Sequence, residues 1–208
     1  MKNKHILTTH KWGFVATLEL CEHHNWTFHG SFPREEKEIT FDFIVARNVY
    51  EAVASGYAYH KLGAECWLNE NFLPNPFPDG GNDWGRNISW WPTLNVTKNE
   101  TKLYYRLNNL CEVLVSLPVS VGLQMYAEFA YNKWYKDAHT FLLRHLDVPI
   151  KCLNNITSTK GRRLNKKSHS SHEHTMLRMN HIDLITKFDD TIFNGLYRQL
   201  QSLVKCEL

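Results

Sequence analysis

Apolar and aromatic residues concentrate in a few short runs separated by polar stretches. The clearest is Phe41 to Ala46, FDFIVA, whose β-branched and aromatic side chains suit a strand buried on both faces. Asn48 follows as a helix N-cap, and Glu51 stands three residues on, in the sense of a capping box. Val49, Ala52 and Val53 give the next helix an apolar face, and the pattern carries it to about Tyr59 or Lys61.

Elsewhere the pattern predicts less regular elements. Ile6 to His10 fits a short strand, and the stretch from there to Gly30 has no clean period. Leucines at 107, 110, 114 and 117 predict a helix over Leu103–Leu117, which Pro118 stops. A long helix is expected over Val119–Leu146, a short strand over Ile150–Leu153 and a last helix from about His181 to Val204. Two segments break the periodicity. One, over about 63–100, is rich in Pro, Gly, Trp and Phe and reads as a functional loop or lid. The other, over about 154–174, is polar and basic.

A chain of 208 residues with 43% apolar content can bury a core of its own, so a single domain over 1–208 is expected. The net charge of +3 is too small for unselective nucleic-acid binding, although Lys160, Arg162, Arg163, Lys166 and Lys167 gather positive charge locally. The five cysteines include no CxxC pair, which removes support for zinc ribbons and thioredoxin chemistry. His169, His172 and His174 lack the helical i, i+4 spacing of zinc hydrolases and sit in a basic stretch, so no metal is expected. The N-terminus has no apolar signal-peptide core and no apolar run reaches membrane-spanning length. Yet Asn-x-Ser/Thr triplets begin at Asn25, Asn87, Asn95, Asn99 and Asn155, an excess that points to a secretory-pathway lumen or to chance in an Asn-rich chain.

The strand–Arg47–Asn48–helix unit carries the candidate chemistry. It sets a guanidinium beside a helix N-terminus, where free N–H groups and the macrodipole favour an anion. Arg47 can grip a phosphate bidentately or pair with a neighbouring carboxylate, and Ser55 lies two turns down the helix as a further donor. The segment RNVYEAVASGYAYH resembles the 3′-phosphate-binding segment of the sulfotransferases, in which an Arg-Asn-Pro turn leads into a Ser-containing helix. Arg47 and Ser55 match in identity and spacing, and Val49 replaces the Pro. VGLQMYAEF, IKCLNNITS and the late helix with Asp-Asp and GLYRQL resemble the C-terminal half of carbohydrate-type members, so the similarity covers roughly residues 41–200.

The resemblance implies an α/β fold of P-loop-NTPase-like type, with a parallel sheet flanked by helices. It implies phosphoadenosine phosphosulfate (PAPS) as donor and a carbohydrate hydroxyl as acceptor. Lys160 and Arg162, in KGRR, correspond to a basic loop that closes over the donor's phosphate, or they form a solvated basic loop. Thr9-His10-Lys11 echoes a strand-end Thr-His whose His is the general base, a role that Glu19 or Glu22 could also fill. The family also needs an N-terminal strand leading into a Gly/Ser/Thr-rich loop for the 5′-phosphosulfate, and the nine residues before His10 look too few for a strand, loop and helix. The expectation is therefore a member shortened at its N-terminus. Such a truncation would also remove the membrane anchor of a Golgi enzyme, whereas a chain without that missing part would be cytoplasmic. Two rivals stand beside the enzyme: a non-catalytic nucleotide- or glycan-binding relative, and an unrelated luminal interaction protein that binds through its aromatic loop.

Overall fold

The computed structural model describes residues 3–33, 39–61, 114–157 and 172–207. Four short parallel strands form its sheet: β1 (His5–Leu7), β2 (Thr27–His29), β3 (Phe43–Ala46) and β4 (Ile150–Cys152), in the order β2-β1-β3-β4. Ile6 stands opposite both Phe28 and Phe43, and Ile44 stands opposite Ile150. The expected α/β architecture with a parallel sheet is thus observed. β3 is buried along its whole length, as its uninterrupted apolar run requires. Its side chains alternate between two cores: Ile44 and Ala46 join one, Phe43 and Val45 the other.

Helices cover the two faces unequally. On the smaller side lies α1 (Phe14–His24), whose Cys21 packs with Ile6, Phe43 and Val45. On the larger side are α2 (Val49–Lys61), α3 (Val119–Ala130), α4 (Lys136–Arg144), α6 (His172–Thr191) and α7 (Leu196–Val204), while α5 (Leu153–Thr157) follows directly on β4. α2 and α3 approach closely at Gly56, where any Cβ would strike the Tyr126 phenol. Pro118 is the N-cap of α3, so the expected stop before Val119 holds.

Three elements differ from the sequence expectation. The nine residues before His10 were expected to be too few for a strand, loop and helix, and the unit instead runs past His10: β1, a loop over 8–13, then α1 to His24. The strand expected over Ile6 to His10 ends at Leu7, and the loop begins at Thr8. The long helix over Val119–Leu146 is interrupted by a π-turn at Tyr131–Tyr135 and ends at Arg144. The last helix is two helices. Between them Asn194 and Gly195 take positive φ values of 53° and 73°, and the buried Asp189 carboxylate accepts hydrogen bonds from the N–H groups of Tyr197 (2.9 Å) and Arg198 (2.8 Å). That carboxylate also accepts from the Tyr50 hydroxyl at 2.9 Å, which ties α7 to α2.

A disulfide between Cys152 and Cys206 fastens the C-terminal tail to the end of β4, and Cys21 is a buried free thiol that burial pushes up to about 11. No described helix is long and apolar enough to cross a membrane. The aromatic segment over 63–100, most of the expected helix over Leu103–Leu117, and the basic loop with Lys160 and Arg162 lie outside the described residues.

Candidate functional site

In an open parallel sheet the chain leaves a crevice at the carboxyl ends of the strands where the order reverses. Here β2 lies on one side of β1 and β3 on the other, so that point falls between β1 and β3. The two loops that leave these ends are Thr8–Gly13 and Arg47–Asn48.

The first loop is held by its own residues. The Thr8 hydroxyl donates to the Val45 carbonyl at 2.9 Å, and the Trp12 N–H donates to the Thr9 carbonyl at 3.1 Å, closing a turn. Lys11 has φ 62° and Gly13 φ 100°, so the chain turns sharply before α1. Only glycine suits position 13, because a Cβ there would also strike Leu153. No side chain caps α1 and its first turn holds no acidic residue. The positive end of its dipole therefore meets no protein carboxylate from its own turn.

An aromatic and cationic cluster surrounds this loop. The His10 ring stacks on Trp134 with centroids 3.8 Å apart and lies 5.5 Å from the His60 ring. The His10 carbonyl accepts from the Tyr135 hydroxyl at 3.3 Å, and the Lys11 ammonium sits 3.2 Å from the Tyr59 ring centroid. Burial, then the Lys11 charge and His60, hold the His10 imidazole well below its ordinary value, and burial with Lys11 brings His60 down to about 2. Both rings are neutral at physiological pH. Trp134 and Tyr135 belong to the π-turn, whose extra residue per turn changes which side chains share a helix face. A sequence reading at 3.6 residues per turn had no means of placing them beside His10.

The second loop is more occupied than its sequence suggested. The Asn48 side chain caps α2 as expected, its Oδ1 accepting from the Glu51 N–H at 3.1 Å. The first N–H of the helix, on Val49, instead donates to Gln201 Oε1 at 2.7 Å. Asn48 Nδ2 and Gln201 Nε2 both donate to the Cys206 carbonyl, at 3.3 and 2.7 Å, so the tail closes over this helix start. The Arg47 guanidinium pairs with the Glu51 carboxylate and reaches the Lys11 carbonyl at 3.5 Å. Glu51 therefore serves the guanidinium, the carboxylate pairing that the sequence left open. Ser55 is buried in the second turn of α2.

The structure thus brings His10 and Arg47 to the same strand ends, joined through Lys11, and places Ser55 within the adjoining helix. Lys160 and Arg162 lie outside the described residues. Glu19 sits within α1, beyond the loop. Lys11 entered the sequence reading only as part of Thr9-His10-Lys11, and its convergence with Tyr59, His60 and Trp134 from three separate elements is not written in any local pattern. No group of three or more His, Cys, Asp or Glu side chains suited to a metal occurs among the described residues. Compared with family models, curated proteins and solved structures, the chain matches none of them.

Proposed function

We propose that this protein is a sulfotransferase-like enzyme that binds PAPS between the carboxyl ends of β1 and β3 and transfers its sulfuryl group to a carbohydrate hydroxyl. The observation that carries the proposal is the juxtaposition of an uncapped strand–loop–helix over residues 5–24 with Arg47 at the end of the neighbouring parallel strand. A donor with phosphates at both ends of its ribose needs two anion sites a few ångströms apart, and two parallel strand ends supply that spacing.

In this reading the loop over 8–13 and the start of α1 take the 5′-phosphosulfate, the part that the sequence seemed to lack. Arg47 exchanges Glu51 for the 3′-phosphate, Ser55 supports the helix behind it, and Lys160 and Arg162 add charge from the basic loop. The neutral His10 imidazole accepts the proton of the acceptor hydroxyl. The acceptor oxygen then bonds to sulfur as the bond from sulfur to the bridging phosphate oxygen breaks, and adenosine 3′,5′-bisphosphate leaves. Lys11 and Arg47 offset the charge that develops on that leaving group. The disulfide fits an oxidising lumen such as the Golgi.

A non-catalytic relative is the second reading, favoured by one observation: Gln201 and Glu51 already occupy the α2 amide and the Arg47 guanidinium. Calorimetry with adenosine 3′,5′-bisphosphate tests both. Binding is expected, and Arg47→Ala is expected to weaken it roughly a hundredfold, as loss of a charge-assisted bidentate contact does. No heat at millimolar ligand removes both readings. Transfer of labelled sulfate to a glycan, lost in His10→Ala, separates the enzyme from the relative that only binds.

A further inference from the structure

Parallel sheets are ordinarily covered on both faces. Among the described residues α1 covers only part of the smaller side, and toward β4 there is a hollow of about 370 Å³. Phe43 forms its floor, Leu20 and Trp26 one wall, and Lys151 and Cys152 the other, with Asn155 at the rim. The Lys151 ammonium stands 4.1 Å from the Phe43 ring centroid, so the hollow mixes aromatic surface with polar groups, Lys151 and Asn155 among them.

Two glycosylation triplets flank this hollow. Asn155-Ile156-Thr157 begins at its rim, and Asn25-Trp26-Thr27 holds the Trp of the opposite wall. Both asparagines are exposed, and Asn25 projects from the left-handed C-cap of α1 at φ 53°. Cys152, in the wall of the hollow, is oxidised to Cys206. A structural disulfide belongs to the oxidising compartments, and the secretory lumen is also where such triplets are modified.

We propose that Asn155 carries an N-linked glycan whose first sugars cover this hollow. The modification joins the Asn155 amide nitrogen to the anomeric carbon of an oligosaccharide carried on a lipid diphosphate. The bond from that carbon to the diphosphate oxygen breaks, the amide proton passes to a base of the transferring enzyme, and the lipid diphosphate departs. Nothing is oxidised or reduced. The first sugars then lie over the mouth of the hollow beside Trp26 and turn their hydroxyls to water, while the Lys151 ammonium, which covers the buried Phe43 ring, donates to a ring oxygen or acetamido carbonyl. Asn25 is a second acceptor on the far wall. The inference rests on a luminal location and is independent of sulfuryl transfer: a glycosylated chain that binds no adenosine bisphosphate sinks the earlier reading and leaves this one intact.

The test is peptide mapping of the full chain purified from the cells that make it, after release of N-glycans by amidase in heavy-oxygen water. Asn155 is expected to return as Asp carrying heavy oxygen, and an unmarked Asn155 overturns the proposal. Thr157→Ala and Asn155→Gln are each expected to lose one glycan's mass, whereas Thr157→Ser keeps it; equal masses throughout have the same overturning force. For the covering itself, release from Asn155 in the folded protein is expected to be roughly tenfold slower than after denaturation, and Trp26→Ala to remove most of that protection. Equal release rates in folded and denatured protein reject the packing of the sugar on the hollow.

Discussion

The two helices that leave the carboxyl ends of β1 and β3 begin in opposite ways. α2 starts with side-chain partners on two of its first N–H groups: Asn48 on the Glu51 N–H and Gln201 on the Val49 N–H, with a tail carbonyl holding both amide side chains. α1 starts at a left-handed Gly13 with no side-chain cap. Capping satisfies the first-turn donors and so stabilises a helix, but it also removes the groups that would bind an anion. The sequence drew attention to the α2 start because Arg, Asn and Glu are recognisable there. The uncapped helix start belongs instead to the neighbouring loop, where the sequence offered only the short Thr9-His10-Lys11 echo and nothing that marks an anion site.

The contrast can be broken most severely at the tail. Replacing Cys152 and Cys206 together by Ser opens a link between positions 54 residues apart and is expected to cost about 4 kcal/mol, read as a lower urea midpoint. Because the Cys206 carbonyl holds Asn48 and Gln201, hydrogen exchange at the start of α2 should accelerate as well. An unchanged midpoint would mean that the tail stays in place without its covalent anchor.

Gly13→Ala attacks the other helix start. An L-residue at φ 100° is strained, and its Cβ meets Leu153, so a loss of about 3 kcal/mol is expected, together with weaker adenosine bisphosphate binding. A variant as stable as the parent would show that the loop relaxes to another conformation at little cost.

The smallest effect sharpens the comparison most. Gln201→Ala leaves the Val49 N–H without its partner and is expected to cost about 1 kcal/mol by chemical denaturation. If α1 and Arg47 hold the ligand, affinity in calorimetry stays unchanged. A gain in affinity would instead make the uncovered α2 amide part of the anion site.

Some of this was legible in the residues because it depends on neighbours along the chain. β3 followed from an apolar run, the α2 cap from Asn48 and Glu51, and the stop before α3 from Pro118. The break before α7 was not, although Asn194-Gly195 offered a local cue, because an apolar period continues across it. The π-turn left no cue at all, and with it the stacking of Trp134 on His10 was not legible. β1 and β2 are three residues each and are strands only because they pair, β1 with β3 and β2 with β1.

The sequence by itself therefore determined the strand–Arg–Asn–helix unit, the polarity of its capping and the triplets available for modification. These are properties of contiguous residues, whose dihedral preferences and side-chain reach act within a turn or two. Only the tertiary structure decided that Arg47 turns to Glu51 and Lys11, that Gln201 and the tail close over α2, that α1 is left uncapped, and that His10 stacks on Trp134. Apart from the Arg47–Glu51 pair, one helical turn apart, those contacts join residues 36 to 158 positions apart, and no local preference encodes which buried polar group will satisfy which. The helix start singled out at the outset thus kept its place in the fold, while the uncapped helix start belongs to the loop beside it.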